Sequence, residues 1–197
     1  MENFAAIDFE TANYERASAC SLGIVISDGT KVTDRWHHLI RPPKMLFDEN
    51  CVRVNHIRPE MVEHEAEFPA FWEEIARRLS GAVVFAHNAL FDMGVLAATI
   101  DAYDLPDLHF RYGCTVKLSR VLWRDMENHR LNTVAGLLGF SFRHHEALAD
   151  AEACEYIVRK ALEKTESATV EEMMEKAGQP LLSFHVRRTH APRGLFE

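Results

Sequence analysis

Asp8 and Glu10 in FAAIDFET, Asp92 in AHNALFD, and His145 and Asp150 in HHEALADAEA are the side chains of this sequence whose types and spacing suit chemistry. Four carboxylates gathered around one point make a divalent-metal site. Successive residues of a strand alternate faces, so Asp8 and Glu10 share one side while Ile7 and Phe9 take the other. A site built only from carboxylate oxygens suits Mg2+ or Mn2+, hard ions that keep several waters and are held partly by substrate phosphates. Two such ions, about 3.5 to 4 Å apart, activate a water and stabilise the oxygen that leaves when a phosphodiester breaks. An imidazole titrates near neutrality, which makes His145 the candidate general base, with His144 as the competing register.

Each piece alone has an ordinary structural explanation. Acids alternating with apolar residues are common in half-solvated strands. Asn88 reads as a helix N-cap, which would place Asp92 in a first turn where the helix dipole favours an acid. His144 reads as a solvated or capping histidine. Asp150 is more informative, because Ala147, Ala151 and Cys154 surround it at helical spacing and a carboxylate beside an apolar face needs a partner. The joint pattern, not any single residue, points to a metal site.

The elements that must position these groups follow from periodicity and punctuation. Residues 4–10 read as a strand, and 20–27 and 31–40 as two more around Asp28-Gly29, giving an antiparallel meander. Residues 44–67 read as an irregular excursion with short helical turns that borders the substrate. A helix over Pro69–Leu79 presents Phe71, Trp72, Ile75 and Leu79 to the core. AVVFA at 82–86 suits a buried strand, and the helix after Asn88 carries Asp92. A strand near 108–113 precedes helices at 115–124, 131–138 and 146–164. The helical rotation from His145 to Asp150 would be about 140°, so His145 must sit on the loop entering the last helix.

With 197 residues and 47% hydrophobic content, the chain suits one well-packed α/β domain. It shows no run of about 18 apolar residues and no basic-then-apolar leader, so no membrane association and an intracellular, cytoplasmic location are expected. Cys20, Cys51, Cys114 and Cys154 form no metal-binding spacing and are expected to remain reduced. The formal net charge of −8 opposes broad nonspecific nucleic-acid binding, but four of the acids belong to the proposed site. Arg111, Lys117, Arg120, Arg124 and Arg130, and then Arg187, Arg188 and Arg193, remain available for local phosphate contacts.

The three motif stretches resemble those of the DnaQ-like, or DEDDh, 3′-5′ exonucleases. DFET matches the first two acids, HNALFD the third, and HEALADA the histidine followed after four residues by aspartate and alanine. A sister group carries tyrosine where this chain has Glu146, which favours the histidine type. The resemblance spans residues 3–163 and implies a ribonuclease H-like α/β fold: a mixed five-stranded sheet, three antiparallel strands then parallel ones, with helices on both faces. It implies a 3′-5′ exonuclease releasing nucleoside 5′-monophosphates from single-stranded or frayed DNA 3′ ends, in proofreading or repair. Asp8, Glu10, Asp92 and Asp150 would hold two Mg2+ or Mn2+ ions and His145 would activate water.

The backbone of Phe9, together with Thr11, Asn88 and Phe91, would lie along the substrate groove. Asn55-His56-Ile57 stands where relatives carry an HGI-like motif that holds the last base, and His56 replaces its glycine. Residues 1–165 then form the nuclease domain and 166–197 a tail, in which Thr169 and Glu172 signal a short helix ending at Gly178. In proofreading subunits of bacterial replicative polymerases, a segment after the nuclease domain serves polymerase attachment, so a polymerase or other replication protein is a candidate partner of the tail. The motifs leave open an exoribonuclease of the oligoribonuclease or RNase T type, a noncatalytic module binding nucleic acid or a polymerase, and a phosphatase for small phosphate esters.

Overall fold

The computed structural model describes residues 3–186 and 188. Strands β1 (Phe4–Thr11), β2 (Ala19–Ser27) and β3 (Val32–Leu39) form the expected antiparallel meander. The turn between β2 and β3 is closed by the Asp28 carboxylate, which accepts from the amides of Thr30 (2.8 Å) and Lys31 (2.9 Å), with Gly29 at φ 85°. Helices α1 (Glu49–Asn55) and α2 (Pro59–Val62) lie in the excursion that follows. The helix expected over Pro69–Leu79 divides into a 3-10 turn (Phe68–Phe71) and α3 (Trp72–Leu79). Strand β4 (Val83–Ala86) leads into α4 (Leu90–Ala102), and β5 (Arg111–Cys114) into α5 (Thr115–Leu122) and α6 (Leu131–Leu137). Then come α7 (Ala147–Thr165), α8 (Val170–Lys176) and β6 (Leu182–Ser183).

The sheet order is β3-β2-β1-β4-β5-β6, with β4 parallel to both β1 and β5. This corrects the expected five strands to six among the described residues. The added strand is two residues of the tail, antiparallel to β5 through Arg111↔Ser183 and Tyr112↔Leu182. A two-residue strand carries no readable alternation, so only its tertiary partner reveals it.

Alternation along β1 divides the core. Ala5, Ile7 and Phe9 pack with Trp72, Ile75, Val95 and Leu96 of α3 and α4 on one face. Phe4 and Ala6 pack on the other with Leu118 of α5, Val158 of α7 and Met173 of α8. Asp8 and Glu10 continue the second row and therefore emerge on the α7 side. Helix α7 sits directly on β2: a Cβ at Gly23 would fall within 3.0 Å of the Ala147 carbonyl oxygen. Gly23 is also the β2 partner of Asp8. The missing side chain therefore lets the first turn of α7 approach the strand pair that carries the first acid.

The capping signal of α8 is formed, with Thr169 Oγ1 accepting from the Glu172 amide at 3.2 Å. Glu172 in return accepts from the Ala168 amide at 2.8 Å. Phe184, just past β6, stacks on Phe110 with ring centroids 4.6 Å apart. No helix among the described residues is long and apolar enough to cross a membrane, and all four cysteines are free.

Candidate active site

Parallel pairing of β1 with β4 covers only Phe4–Ala6, so beyond Ala6 the two strands no longer accompany each other. The cleft opens there, at the carboxyl end of the parallel strands, the usual location of ligands in open α/β sheets. It is a cavity of about 370 Å³ whose lining includes Asp8, Glu10, Asn88, Phe91, His145 and Asp150.

Carboxylate oxygens of Asp8, Glu10 and Asp150 lie within 4.8 Å of one another. Asp150 is 3% exposed and stands in the first turn of α7. Asp92, 1% exposed, occupies the first turn of α4 and is set back from the trio, its Oδ1 accepting from the Phe9 amide at 3.0 Å. The expected Asn88 cap is replaced: Ala89 is the N-cap residue without a side-chain bond, and Asn88 takes a left-handed conformation at φ 69°. Asn88 therefore turns the chain from β4 into α4 rather than capping it.

The electrostatics follow from burying like charges together. Burial raises the Asp8 carboxyl well above its ordinary value, and the charges of Asp92, Asp150 and Glu10 add to the shift. Burial, with Asp150 beside it, pushes Glu10 up to about 8 although the Asn55 amide opposes the shift. Asp92 is likewise pushed up to about 8 by burial, against the hydrogen bond from Phe9. Such a set is strained when ionised and relieved by a cation. Oxygen-only donors fit a hard divalent ion, and the trio plus Asp92 are the residues that would hold it.

Both histidines of the entering loop reach the cluster, so His144, expected as a solvated or capping residue or as the competing register, is bonded to an acid of the site. His144 Nδ1 lies 2.9 Å from each Asp150 oxygen, and its ring stacks on His145 at 3.8 Å between centroids. The His145 amide donates to Asp150 Oδ2 at 3.1 Å, which anchors the loop with His145 at φ 68°. Burial and the neighbouring His144 lower the His145 pKa, while Asp150 pulls it up. The net lowering favours the neutral, proton-accepting form of the His145 imidazole.

The remaining sequence-predicted positions divide. Phe9 is buried with its ring near Phe68 (centroids 6.4 Å), so its backbone alone faces the site. Phe91 is 40% exposed at the cleft. Thr11 and His56 do not line this cavity. Thr11 is buried, and its carbonyl accepts from Asn55 Nδ2 at 3.1 Å. His56 is exposed at φ 61°. That left-handed conformation is what a glycine adopts without strain, which fits its place in the HGI-like stretch. Of the basic residues, Arg130 borders the cleft and Arg188 is bonded to Asp107 at 2.6 Å. Arg187 and Arg193 lie outside the described residues.

Sequence reasoning missed Asn55 and His87. Asn55 is a buried amide that joins the excursion to β1 and stands beside Glu10. His87 Nε2 donates to the His129 carbonyl at 2.9 Å, and its Nδ1 accepts from Thr115 at 2.9 Å. Burial lowers its pKa to about 4, so it is a neutral brace between β4, α5 and the 127–130 loop. The sequence signals were only adjacency: Asn55 precedes His56 in the singled-out tripeptide and His87 precedes Asn88.

The exonuclease family model RNase_T matches residues 5–158. The chain is 33% identical over 142 residues to a PolC-type DNA polymerase III of Lacticaseibacillus paracasei, covering 72% of this chain and 10% of that protein. It is 30% identical over 173 residues to the 3′-5′ exonuclease DinG of Bacillus subtilis, covering 83% of this chain and 18% of that one. It thus spans under a fifth of the length of these relatives. Exonuclease X, solved in complex with 5′ overhanging duplex DNA, has a TM-score of 0.70 at 22% identity, covering 89% of this chain and 99% of that one. The nuclease domain of 3′hExo, a DEDDh family member bound to rAMP, gives a TM-score of 0.70 at 16% identity, covering 82% and 92%. These two likenesses show the ribonuclease H-like fold. Because the family match runs from β1 through most of α7, and so across all four acids and both loop histidines, this chain belongs to the exonuclease family.

Proposed function

We propose that this protein is a 3′-5′ exonuclease that hydrolyses phosphodiesters at single-stranded or frayed DNA 3′ ends and releases nucleoside 5′-monophosphates. The observation that carries the reading is the convergence of Asp8, Glu10 and Asp150 within 4.8 Å, with His145 on the adjoining loop. Asp8, Glu10, Asp92 and Asp150 would hold two Mg2+ or Mn2+ ions. Bound ions supply Lewis acidity, lowering the pKa of a water and offsetting charge on the departing oxygen.

His145 accepts the proton of the attacking water. Asp150 fixes the His145 backbone and the His144 ring. His87, neutral and doubly bonded, holds the far wall. The Phe9 backbone, Asn88 and Phe91 line the cleft and guide the terminal nucleotide, which Phe91 meets with an exposed ring, while Thr11 and His56, outside that cavity, act on it only through the excursion they belong to or bond with. Residues 1–165 serve as the nuclease unit. The PolC-type relatives support a replication or repair setting. A cytoplasmic location and a polymerase met through residues 166–197 complete the proposal.

The test is incubation with Mg2+ and 5′-labelled single-stranded DNA and RNA of equal sequence, with Asp8→Ala as the control. A ladder shortening from the 3′ end, absent in the variant and stronger on DNA, is expected. No ladder in Mg2+ or Mn2+ would overturn the reading, and a stronger RNA ladder would transfer it to an exoribonuclease.

The acid limb of kcat/KM should lie below the ordinary imidazole range, since the His145 pKa is lowered and only its neutral form accepts a proton. His145→Ala should cost about 10²- to 10⁴-fold and remove that limb. His144→Ala should cost less and leave the limb in place. If His144→Ala removes it instead, the base is His144.

A further inference from the structure

Lys117 and Arg120 stand one turn apart on α5 with their charges uncommitted. Arg35, Lys44, Arg78, Arg111 and Arg188 are each held by a carboxylate, whereas Lys117 and Arg120 have no ion pair among the described residues. In a chain of net charge −8, two adjacent unpaired cations form a local basic spot. They border a cavity of about 140 Å³ between α5, α8 and the segment leading into β6. Its walls include Tyr112, Met174, Pro180 and Leu182, together with Asn88 and Gln179. Asn88 and Val116 line both this cavity and the acid-bearing cleft, so the two compartments adjoin.

A phosphate is neutralised by Lys and Arg side chains, and a base lies readily on an aromatic face. The cavity has the room of a few waters, which suits one planar base and no folded element. Gln179, Pro180 and Leu182 come after residue 158, where the family match ends. This wall is therefore an addition of the tail.

We propose that the cavity and its two cations form a subsite for one nucleotide of the substrate strand, upstream of the scissile bond. Its phosphate sits between Lys117 and Arg120, and its base lies against Tyr112 and Leu182. The subsite rests on the exonuclease reading above and gives an acidic protein local hold on its polymer.

The test compares the wild type, Lys117→Gln/Arg120→Gln and the remote control Lys31→Gln/Lys164→Gln. Two substrates are used: an octathymidylate, and thymidine 5′-monophosphate p-nitrophenyl ester, which has no upstream nucleotide. The ratio of kcat/KM for octamer over ester should fall about tenfold in the first double variant and stay unchanged in the control. The slope of log kcat/KM against log salt on the octamer should become shallower by about 0.7, the value for one lost single-strand phosphate contact. An abasic residue at one upstream position should cost the wild type about tenfold.

An unchanged ratio, an equal fall in the control, or an abasic series with no sensitive position overturns the subsite. Wild-type protein that turns over neither substrate overturns the exonuclease reading instead. In that case octamer affinity by fluorescence anisotropy still judges the subsite: it stands if the double variant alone binds more weakly and falls if all three proteins bind alike.

Discussion

Asp8→Asn should lower metal-dependent turnover by about a thousandfold or more and, at the same time, raise the thermal stability of the metal-free protein. The first effect follows from the several kcal/mol that metal ligation contributes to a phosphodiester transition state, at 1.36 kcal/mol per tenfold. The second follows from linkage. Asp8, Glu10 and Asp92 all have folded-state pKa values above their ordinary ones, because burial and mutual repulsion disfavour their charged forms. Between the ordinary carboxylate range and about 8, the folded state then binds more protons than the unfolded state. Metal-free stability is accordingly full on the acid side and declines as pH rises through that window.

Removing one charge relieves its neighbours, so the decline should be shallower in Asp8→Asn. At pH 8, Mg2+ or Mn2+ at about a hundred times its dissociation constant should stabilise the wild type by about 2.7 kcal/mol, or roughly 5–10 °C in Tm. Asp8→Asn should lose most of that increment. Melting curves with and without metal, at pH 5 and pH 8, check all of this. A variant that is less stable without metal and keeps the full metal increment would remove Asp8 from the site.

Gly23→Ala should damage activity from behind the site. The added methyl meets backbone, the Ala147 carbonyl, which cannot rotate away as a side chain would. Helix α7 must then lift from β2 or the strand must bend, and Asp150 rides on the first turn of that helix. Overpacking of this kind costs about 1–3 kcal/mol, or roughly 5–10 °C in Tm at the upper end. A displacement near 1 Å at the acids costs about a hundredfold in rate. Gly136→Ala on α6, where nothing lies within 4 Å of the added carbon, is the control and should be neutral or slightly stabilising. Full activity and an unchanged Tm in Gly23→Ala would show that α7 does not depend on this approach.

Local periodicity made much of the frame readable. A period of two placed Asp8 and Glu10 on one face, and the three-dimensional alternation of Ile7 and Phe9 against Phe4 and Ala6 agrees with it. The rotation between His145 and Asp150 forced the histidine onto a loop, and the helix begins after it, at Ala147. The missed features depend on contacts distant in sequence. Phe9 and Asp92 are 83 residues apart, and Asn55 and Thr11 are 44 apart, so neither bond leaves a local trace. The same holds for β6, whose two residues gain strand geometry only from β5. The choice between His144 and His145 turned on a loop with left-handed backbone, where helical or strand spacing rules do not apply.

The bond from the Phe9 amide to Asp92 has a consequence for how this site can be dissected. Where β4 leaves β1, a carboxylate takes over as acceptor for a main-chain donor, so Asp92 is both scaffold and charge. Alanine there strips a buried N–H of its acceptor along with the negative charge, and the two losses arrive as one phenotype. Asparagine keeps an oxygen in place while discarding the charge. The carboxamide, not the truncation, is thus the substitution that isolates electrostatics from architecture at this position.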